Sequence, residues 1–319
     1  MTVARSRLID IESTPYYHIT CRCVRRAFLC GVDSYSGKDY EHRRSLIEDK
    51  LFELTSVFAI DVAAYAIMSN HYHLVLRIDN EQAQSWSTRE VLERWTRLFN
   101  GSMIAQRFLA GAALGEAEME VLAELAEEYR QRLMSISWLM RILNESIARM
   151  ANQEDNCKGK FFEGRFKSQA LLDEAALLSC MAYVDLNPIR AKMATTPEAS
   201  DYTSAQARIK EDVNKVLLPF IGNERHEQPK GIAFHLTDYL ELVDWSGRAI
   251  RQNKRGSIPA SLPPILERLN LTEDDWLLQT QFFEKRFKRA AGHWYNLSQL
   301  ANRLGQNWLH GKSLKPKTP

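Results

Sequence analysis

Two apolar runs joined by a pair of turn-forming residues set the narrowest limit on this fold. Val57 to Met68 and His71 to Ile78 are both rich in β-forming residues, and Ser69-Asn70 lies between them, so the spacing predicts a β-hairpin. Side chains of a strand alternate between its two faces. His71 and His73 therefore share one face, and Tyr72, Leu74 and Leu76 turn to the other, where a core would take them. Two imidazoles in fixed geometry can hold a divalent metal ion. The pair reads equally as two half-buried histidines bonded to other polar groups.

The rest of the first two hundred residues mixes strands with helices. Tyr16 to Val24 alternates and reads as a strand, and Glu41 to Leu54 as a helix with Leu46, Ile47, Leu51 and Leu54 at helical spacing. Ser87 and Glu90 stand at capping-box spacing before the stripe Val91, Leu92, Trp95, Leu98 and Phe99, which Asn100-Gly101 ends. Met103 to Leu133 reads as a further helical region with a Glu-rich solvent face, and Ile136, Leu139, Met140, Leu143, Ile147 and Met150 form another stripe. Asn156 to Gly164 is a loop, Arg165 to Leu171 a strand candidate, and Asp173 or Glu174 opens a helix that Pro188 closes nearby. Strands and helices in this order make an α+β chain. The polar stretch Asn223 to Lys230 reads as a link, giving units of 1–215 and 216–319, with a helical insertion at about 86–135.

The chain of 319 residues carries a net charge of +2, too small to argue for a nucleic-acid partner. Its distribution says more: Gly115 to Glu128 is rich in Glu, and no acid follows Glu284, which hints at a polyanion meeting selected faces. The five cysteines, Cys21, Cys23, Cys30, Cys157 and Cys180, are odd in number and include no CxxC pair, so a disulfide framework is disfavoured and a reducing cytoplasm fits. Met1 to Ile11 has no apolar stretch of the secretory kind, and no apolar run reaches the roughly 20 residues of a membrane helix.

Two further segments carry chemistry. On a helix, Tyr183 and Asn187 lie four apart and share a face. Ala176, Ser179 and Cys180 lie behind them on that face, small enough to leave it open to something bulky, while Leu177, Leu178, Met181 and Val184 mark the core side. A tyrosine so placed, with an amide one turn on, suits a nucleophile beside a metal ligand; it also suits a tyrosine at a domain edge followed by an Asn cap. In Lys158 to Ser168, cations interleave with Phe161, Phe162 and Phe166, a pattern that fits phosphates meeting cations and bases stacking on rings, or a solvated strand whose Phe residues enter the core.

Taken together, Asn70-His71-Tyr72-His73-Leu74 resembles the histidine–hydrophobic–histidine motif of the HUH superfamily. Glu163-Gly164-Arg165-Phe166-Lys167-Ser168, followed by Tyr183-Val184-Asp185-Leu186-Asn187-Pro188-Ile189-Arg190-Ala191, resembles the REP-associated tyrosine transposases. Tyr17-His18-Ile19-Thr20, with Arg22, Arg25 and Arg26 after it, resembles that family's first strand. The likeness spans about residues 15 to 80 and 136 to 205; Ser69 stands where many relatives carry proline, and the last hundred residues lie outside it.

The resemblance implies a ferredoxin-like antiparallel sheet with helices on one face. It implies Tyr183 as the nucleophile toward single-stranded DNA, giving a 5′-phosphotyrosine and a free 3′-hydroxyl. His71, His73 and Asn187 would hold Mg²⁺ or Mn²⁺, and Arg22, Arg25, Arg26, Lys160, Arg165, Lys167 and Arg190 would meet DNA. The implied partners are hairpin-forming palindromic repeats, handled in the cytoplasm at the nucleoid by a monomer or homodimer. No ATP would be needed, because the phosphotyrosine keeps the phosphodiester energy; the lack of a GxxxxGK[ST] loop agrees. An inactive, domesticated hairpin-binding descendant and a metallohydrolase using metal-bound water are the rival functions.

The basic, mostly helical C-terminus offers a softer signal. Lys285, Arg286, Lys288 and Arg289 sit among Phe282, Phe283 and Phe287, and Asn296 to Gly305 reads like the first helix and turn of a helix-turn-helix, or as a plain helical appendage with a solvated face.

Overall fold

A computed structural model describes residues 9–24, 29–33, 37–222, 230–252, 262–307 and 309. In chain order its elements are β1 (Tyr16–Arg22), α1 (His42–Thr55), β2 (Ile60–Ile67), β3 (His71–Ile78), α2 (Asn80–Ser85), α3 (Thr88–Thr96), α4 (Met103–Leu109), α5 (Glu116–Leu133) and α6 (Ile136–Glu154). There follow β4 (Lys167–Leu171), α7 (Glu174–Asp185), α8 (Asn187–Arg190), α9 (Ser204–Ile209), α10 (Leu236–Gln252), α11 (Leu262–Arg268), α12 (Glu273–Arg286), β5 (Ala290–Ala291) and α13 (Trp294–Arg303). The chain is α+β, and two compact units divide it: Met1–Glu48, Val62–Arg77 and Gly159–Pro319 form one, Asp49–Asp61 and Ile78–Lys158 the other.

The first unit is built on a sheet in the order β2-β3-β1-β4-β5. The expected hairpin closes where the Met68 amide donates to the His71 carbonyl at 2.8 Å. β1 runs antiparallel to both β3 and β4, and the short β5 runs parallel to β4. Period-two alternation sorts the side chains as the sequence predicts. Tyr17, Ile19, Tyr72, Leu74 and Leu76 are all buried on one face.

The core of this unit runs from Val75 and the alanines of β2 through α7 to α10, α11 and α12. Trp276, Phe283 and Phe287 are among its largest fully buried side chains, each worth roughly 1.5–3 kcal/mol on burial. The Trp276 indole donates to Ser246 Oγ at 2.8 Å, so its one polar atom is satisfied. The C-terminal helices thus belong to the same unit as the sheet: α12 packs along α7, and β5 extends the sheet. Of the helix-turn-helix reading, the described residues hold α13 and the turn at Gly305 (φ +64°).

The second unit is the helical stretch. Ser87 and Glu90 do form a capping box, and Val91, Leu92 and Trp95 face inward, with Trp95 stacked on Tyr129 at 4.5 Å. The helical region expected from Met103 holds two helices, α4 and α5, and Gly111 adopts φ +82° between them, a conformation that glycine takes without strain. The stripe on α6 is buried from Ile136 to Ile147.

Candidate functional site

Strand register assembles the site. Thr20 lies opposite His73, and Arg22 opposite His71, while His18 faces Val75 on one side and Gln169 on the other. Directly opposed residues point to the same face. That face therefore carries His18, Thr20, His71, His73, Lys167 and Gln169. His18 Nε2 sits 3.0 Å from His73 Nδ1, with the two ring planes within 14° of one another. His18 Nδ1 sits 3.2 Å from Gln169 Oε1, and the His71 ring meets the His73 ring edge-on at 4.9 Å.

Helix α7 brings Tyr183 onto this face. Its ring lies edge-on to His73 at 5.7 Å and to His18 at 6.1 Å, within one chain. Asp173 caps α7, accepting from the Ala176 amide at 2.8 Å. The Arg190 guanidinium lies 3.9 Å over the Tyr183 ring and donates to the carbonyls of Tyr183 (2.6 Å) and Thr280 (3.0 Å).

Glu284 from α12 completes the cluster. It accepts from Thr20 Oγ1 at 2.8 Å and, more weakly, from the Tyr183 hydroxyl at 3.4 Å. Helical geometry breaks at Phe282 (φ −128°, ψ 25°), one residue before buried Phe283 and two before Glu284. A cleft of about 360 Å³ opens beside the cluster, lined by His18, Thr20, Gln169 and Glu284, with Lys167, Lys285 and Lys288 on its walls.

Burial sets the protonation states. It drives His73 well below the ordinary histidine value, and the neighbouring His18 and His71 push the same way. Burial also lowers His18, partly offset by Glu284, and takes His71 down to about 4, with the Arg22 charge assisting. These imidazoles are neutral at pH 7, the form that binds metals. Burial would raise Glu284, but attraction to His18 in its protonated form, the Thr20 hydrogen bond and the Lys167 charge outweigh it and hold the carboxyl below its usual value. Burial raises Tyr183, against the pull of Arg190, so its phenol is protonated at rest; Arg190 itself falls to about 10 through burial and stays cationic.

The expected site residues fare differently. His73 and Tyr183 meet, and His71 flanks them. Asn187 lies past the end of α7, at the start of α8, and among the described residues no hydrogen bond or ring contact joins it to His71, His73 or Tyr183; its Nδ2 is buried without a partner. The face of α7 that the small residues leave open in sequence is closed, because α12 lies on it: Ala176, Ser179 and Cys180 are fully buried. Phe161, Phe162 and Phe166 are buried too, so none offers a ring for a base to stack on. The cations between them point outward: Lys160, Arg165 and Lys167 are exposed, as is Arg22. Arg190 is instead committed to Tyr183 and Thr280. Arg25 and Arg26 lie outside the described residues.

Sequence reasoning missed His18 and Glu284 as members of the site. His18-x-Thr20 repeats the period of His71-x-His73, which was a signal for the first. Glu284 had none beyond being the last acid of the chain.

The donors His18, His73 and Glu284 place one ligand atom each within 4.8 Å of one another. Two imidazoles and a carboxylate are the chemistry of a divalent transition-metal site, so the cluster fits an ion of that class. Among the described residues no helix is long and apolar enough to cross a membrane.

No family model matches the chain. No curated protein matches it either. Among solved structures it is similar to a REP-associated tyrosine transposase bound to a REP hairpin, with a TM-score of 0.38 and 10% sequence identity over 69% of this chain and 89% of that one.

Proposed function

We propose that this chain nicks and rejoins single-stranded DNA through a covalent bond to Tyr183, acting on hairpin-forming palindromic repeats. The observation that carries the reading is the meeting, within one chain, of the Tyr183 ring with the buried imidazole of His73 at 5.7 Å. It brings a nucleophile candidate from α7 to the histidine-bearing strand face. The strand order β2-β3-β1-β4 agrees with the ferredoxin-like core that such a site requires.

In the reaction, Tyr183 Oη attacks a backbone phosphorus. The P–O bond to tyrosine forms, the P–O3′ bond breaks, and the phenolic proton ends on the departing 3′-oxygen. A buried phenol with a raised pKa is a poor nucleophile, so it needs an acceptor for its proton. Glu284 Oε2, 3.4 Å from the hydroxyl, is the acceptor in reach. Arg190, stacked on the ring and bonded to the Tyr183 carbonyl, fixes the tyrosine and lends positive charge. Mg²⁺ or Mn²⁺, held by His73 with other donors of this strand face, would supply Lewis-acid stabilisation of phosphate charge. The exposed cations Arg22, Lys160, Arg165 and Lys167 would follow the phosphates, which carry most of the affinity for nucleic acid.

The test is incubation of the full chain with a hairpin oligonucleotide bearing a single-stranded flank, in Mn²⁺, read on a denaturing gel. A nicked strand with a protein–DNA adduct is expected. Nicking without an adduct would assign the chemistry to metal-bound water, and binding without nicking would leave a hairpin-binding protein.

A further inference from the structure

We infer that the divalent ion of this site is held by His18 Nε2, His73 Nδ1 and the Glu284 carboxylate, and that Asn187 is not a ligand. The inference rests on the reading of the site as metal-binding and changes which residues bind. Its first support is spacing. Two nitrogens bonded to one ion at about 2.1 Å stand roughly 3 to 3.4 Å apart. The facing nitrogens of His18 and His73 are 3.0 Å apart, and the carboxylate completes a triangle within 4.8 Å.

The second support is the outer shell. Histidine ligands are oriented by a hydrogen bond from their other ring nitrogen. Gln169 Oε1 accepts from His18 Nδ1–H at 3.2 Å, which leaves Nε2 as a bare lone pair aimed at His73. Thr20 Oγ1 donates to Glu284 at 2.8 Å and turns the carboxylate toward the same point. Without an ion, the two facing ring nitrogens meet in one N–H···N bond, and among the described residues the largely enclosed carboxylate has only hydroxyl partners. Among the described residues, no Lys or Arg lies within ion-pair distance of Glu284. A cation between the three donors resolves both features at once.

The third support is access. A catalytic metal site keeps open positions for its substrate. The cleft of about 360 Å³ beside His18, Thr20 and Glu284 supplies them, and its lysines Lys167, Lys285 and Lys288 suit a phosphate. An N₂O donor set favours Mn²⁺ or another transition ion over Mg²⁺, which prefers oxygen ligands and retained waters. Because α12 contributes Glu284, binding the ion also ties the C-terminal helix to the sheet.

The test needs no DNA and therefore fails independently of the transposase reading. Full-length protein stripped with chelator is titrated with Mn²⁺ in a calorimeter, and Mn²⁺-dependent melting is followed in parallel. Wild type should bind one ion and melt higher with it. Glu284→Gln should weaken binding by at least about tenfold and lose most of the melting shift, and Gln169→Leu should weaken binding by about ten- to a hundredfold. Asn187→Ala should match wild type within about twofold. Circular dichroism shows which variants fold, and Gln169→Leu serves if Glu284→Gln does not. No ion bound by wild type, a folded Glu284→Gln that binds like wild type, or an Asn187→Ala loss as large as that of Glu284→Gln would each overturn the assignment.

Discussion

The sharpest consequence of the geometry concerns one oxygen atom, the hydroxyl of Tyr183. Among the described residues its only hydrogen bond is the long one to Glu284, at 3.4 Å. The rest of what holds the residue belongs to the ring: Arg190 over its face at 3.9 Å, His73 at its edge, Phe283 tilted against it at 6.0 Å. Phenylalanine keeps every one of those contacts. Tyr183→Phe should therefore cost less than about 1 kcal/mol of stability, since a hydrogen bond so stretched contributes at the bottom of the usual range. That corresponds to a melting shift of no more than about 3 °C. Nicking should fall by at least about three orders of magnitude, as when a covalent nucleophile is removed, with binding of the hairpin unchanged. Single-turnover cleavage of a labelled hairpin, with a denaturing gel for the adduct, measures the first effect; thermal melting measures the second. A Tyr183→Phe protein that nicks near the parent rate would falsify the nucleophile assignment. A loss of several kcal/mol would show instead that the hydroxyl is structural, and would refute the reading of the site from ring contacts.

Other outcomes follow from neighbouring groups. Lys167→Ala or Arg165→Ala should flatten the dependence of log affinity for single-stranded DNA on log salt by about 0.7 each, whereas Arg190→Lys should leave that slope alone, because Arg190 is occupied with the Tyr183 and Thr280 carbonyls; fluorescence anisotropy across a salt series distinguishes them. Burial holds His18, His71 and His73 below their unfolded value, so the unfolded chain binds more protons between about pH 6.5 and the folded values, near 4 for His71. The stability from these groups is whole above pH 6.5 and is lost as the pH falls through that window; melts at successive pH values should show the decline, and His71→Gln should make it shallower. Buried Asp185 accepts from Tyr239 Oη at 2.6 Å, Ser204 Oγ at 2.5 Å and the Ala205 amide at 2.8 Å. Tyr239→Phe removes one of these bonds to a buried carboxylate and should cost about 1.5–3 kcal/mol in urea unfolding; a change under about 0.5 kcal/mol would contradict that.

Where structure is local, the sequence already shows it. The β2–β3 hairpin, the alternation that sends Tyr72, Leu74 and Leu76 to the core, and the Ser87–Glu90 capping box all depend on residues within a turn or a strand of one another. The misjudged features depend on distant segments. The small side chains of α7 read as an open face because nothing near them in sequence covers them; α12, a hundred residues on, does. The Phe residues of 158–168 read two ways because interleaving cations and rings is the same pattern whether the rings meet bases or a core. The burial of all three decides for the core.

The site divides along the same line. His71, His73 and Tyr183 announce themselves by residue type and spacing. His18 does so only once β1 is known to lie beside β3, because its partner His73 comes from that strand, fifty-five positions away. Glu284 sits in Phe-Phe-Glu-Lys-Arg-Phe-Lys, where a lone acid among cations reads as one more solvated charge. Its direction is fixed by its neighbours. Phe283 and Phe287, one turn apart, are both buried in the core, and that sets the rotational phase of the segment. Glu284, one residue on from Phe283, is then rotated to the edge of the core, where Thr20 and Tyr183 wait, while Lys285 and Lys288 come to line the cleft. A carboxylate placed by two phenylalanines and held by two hydroxyls, with no Lys or Arg ion pair among the described residues to account for it, is better explained by an ion it is built to bind than by the helix it belongs to.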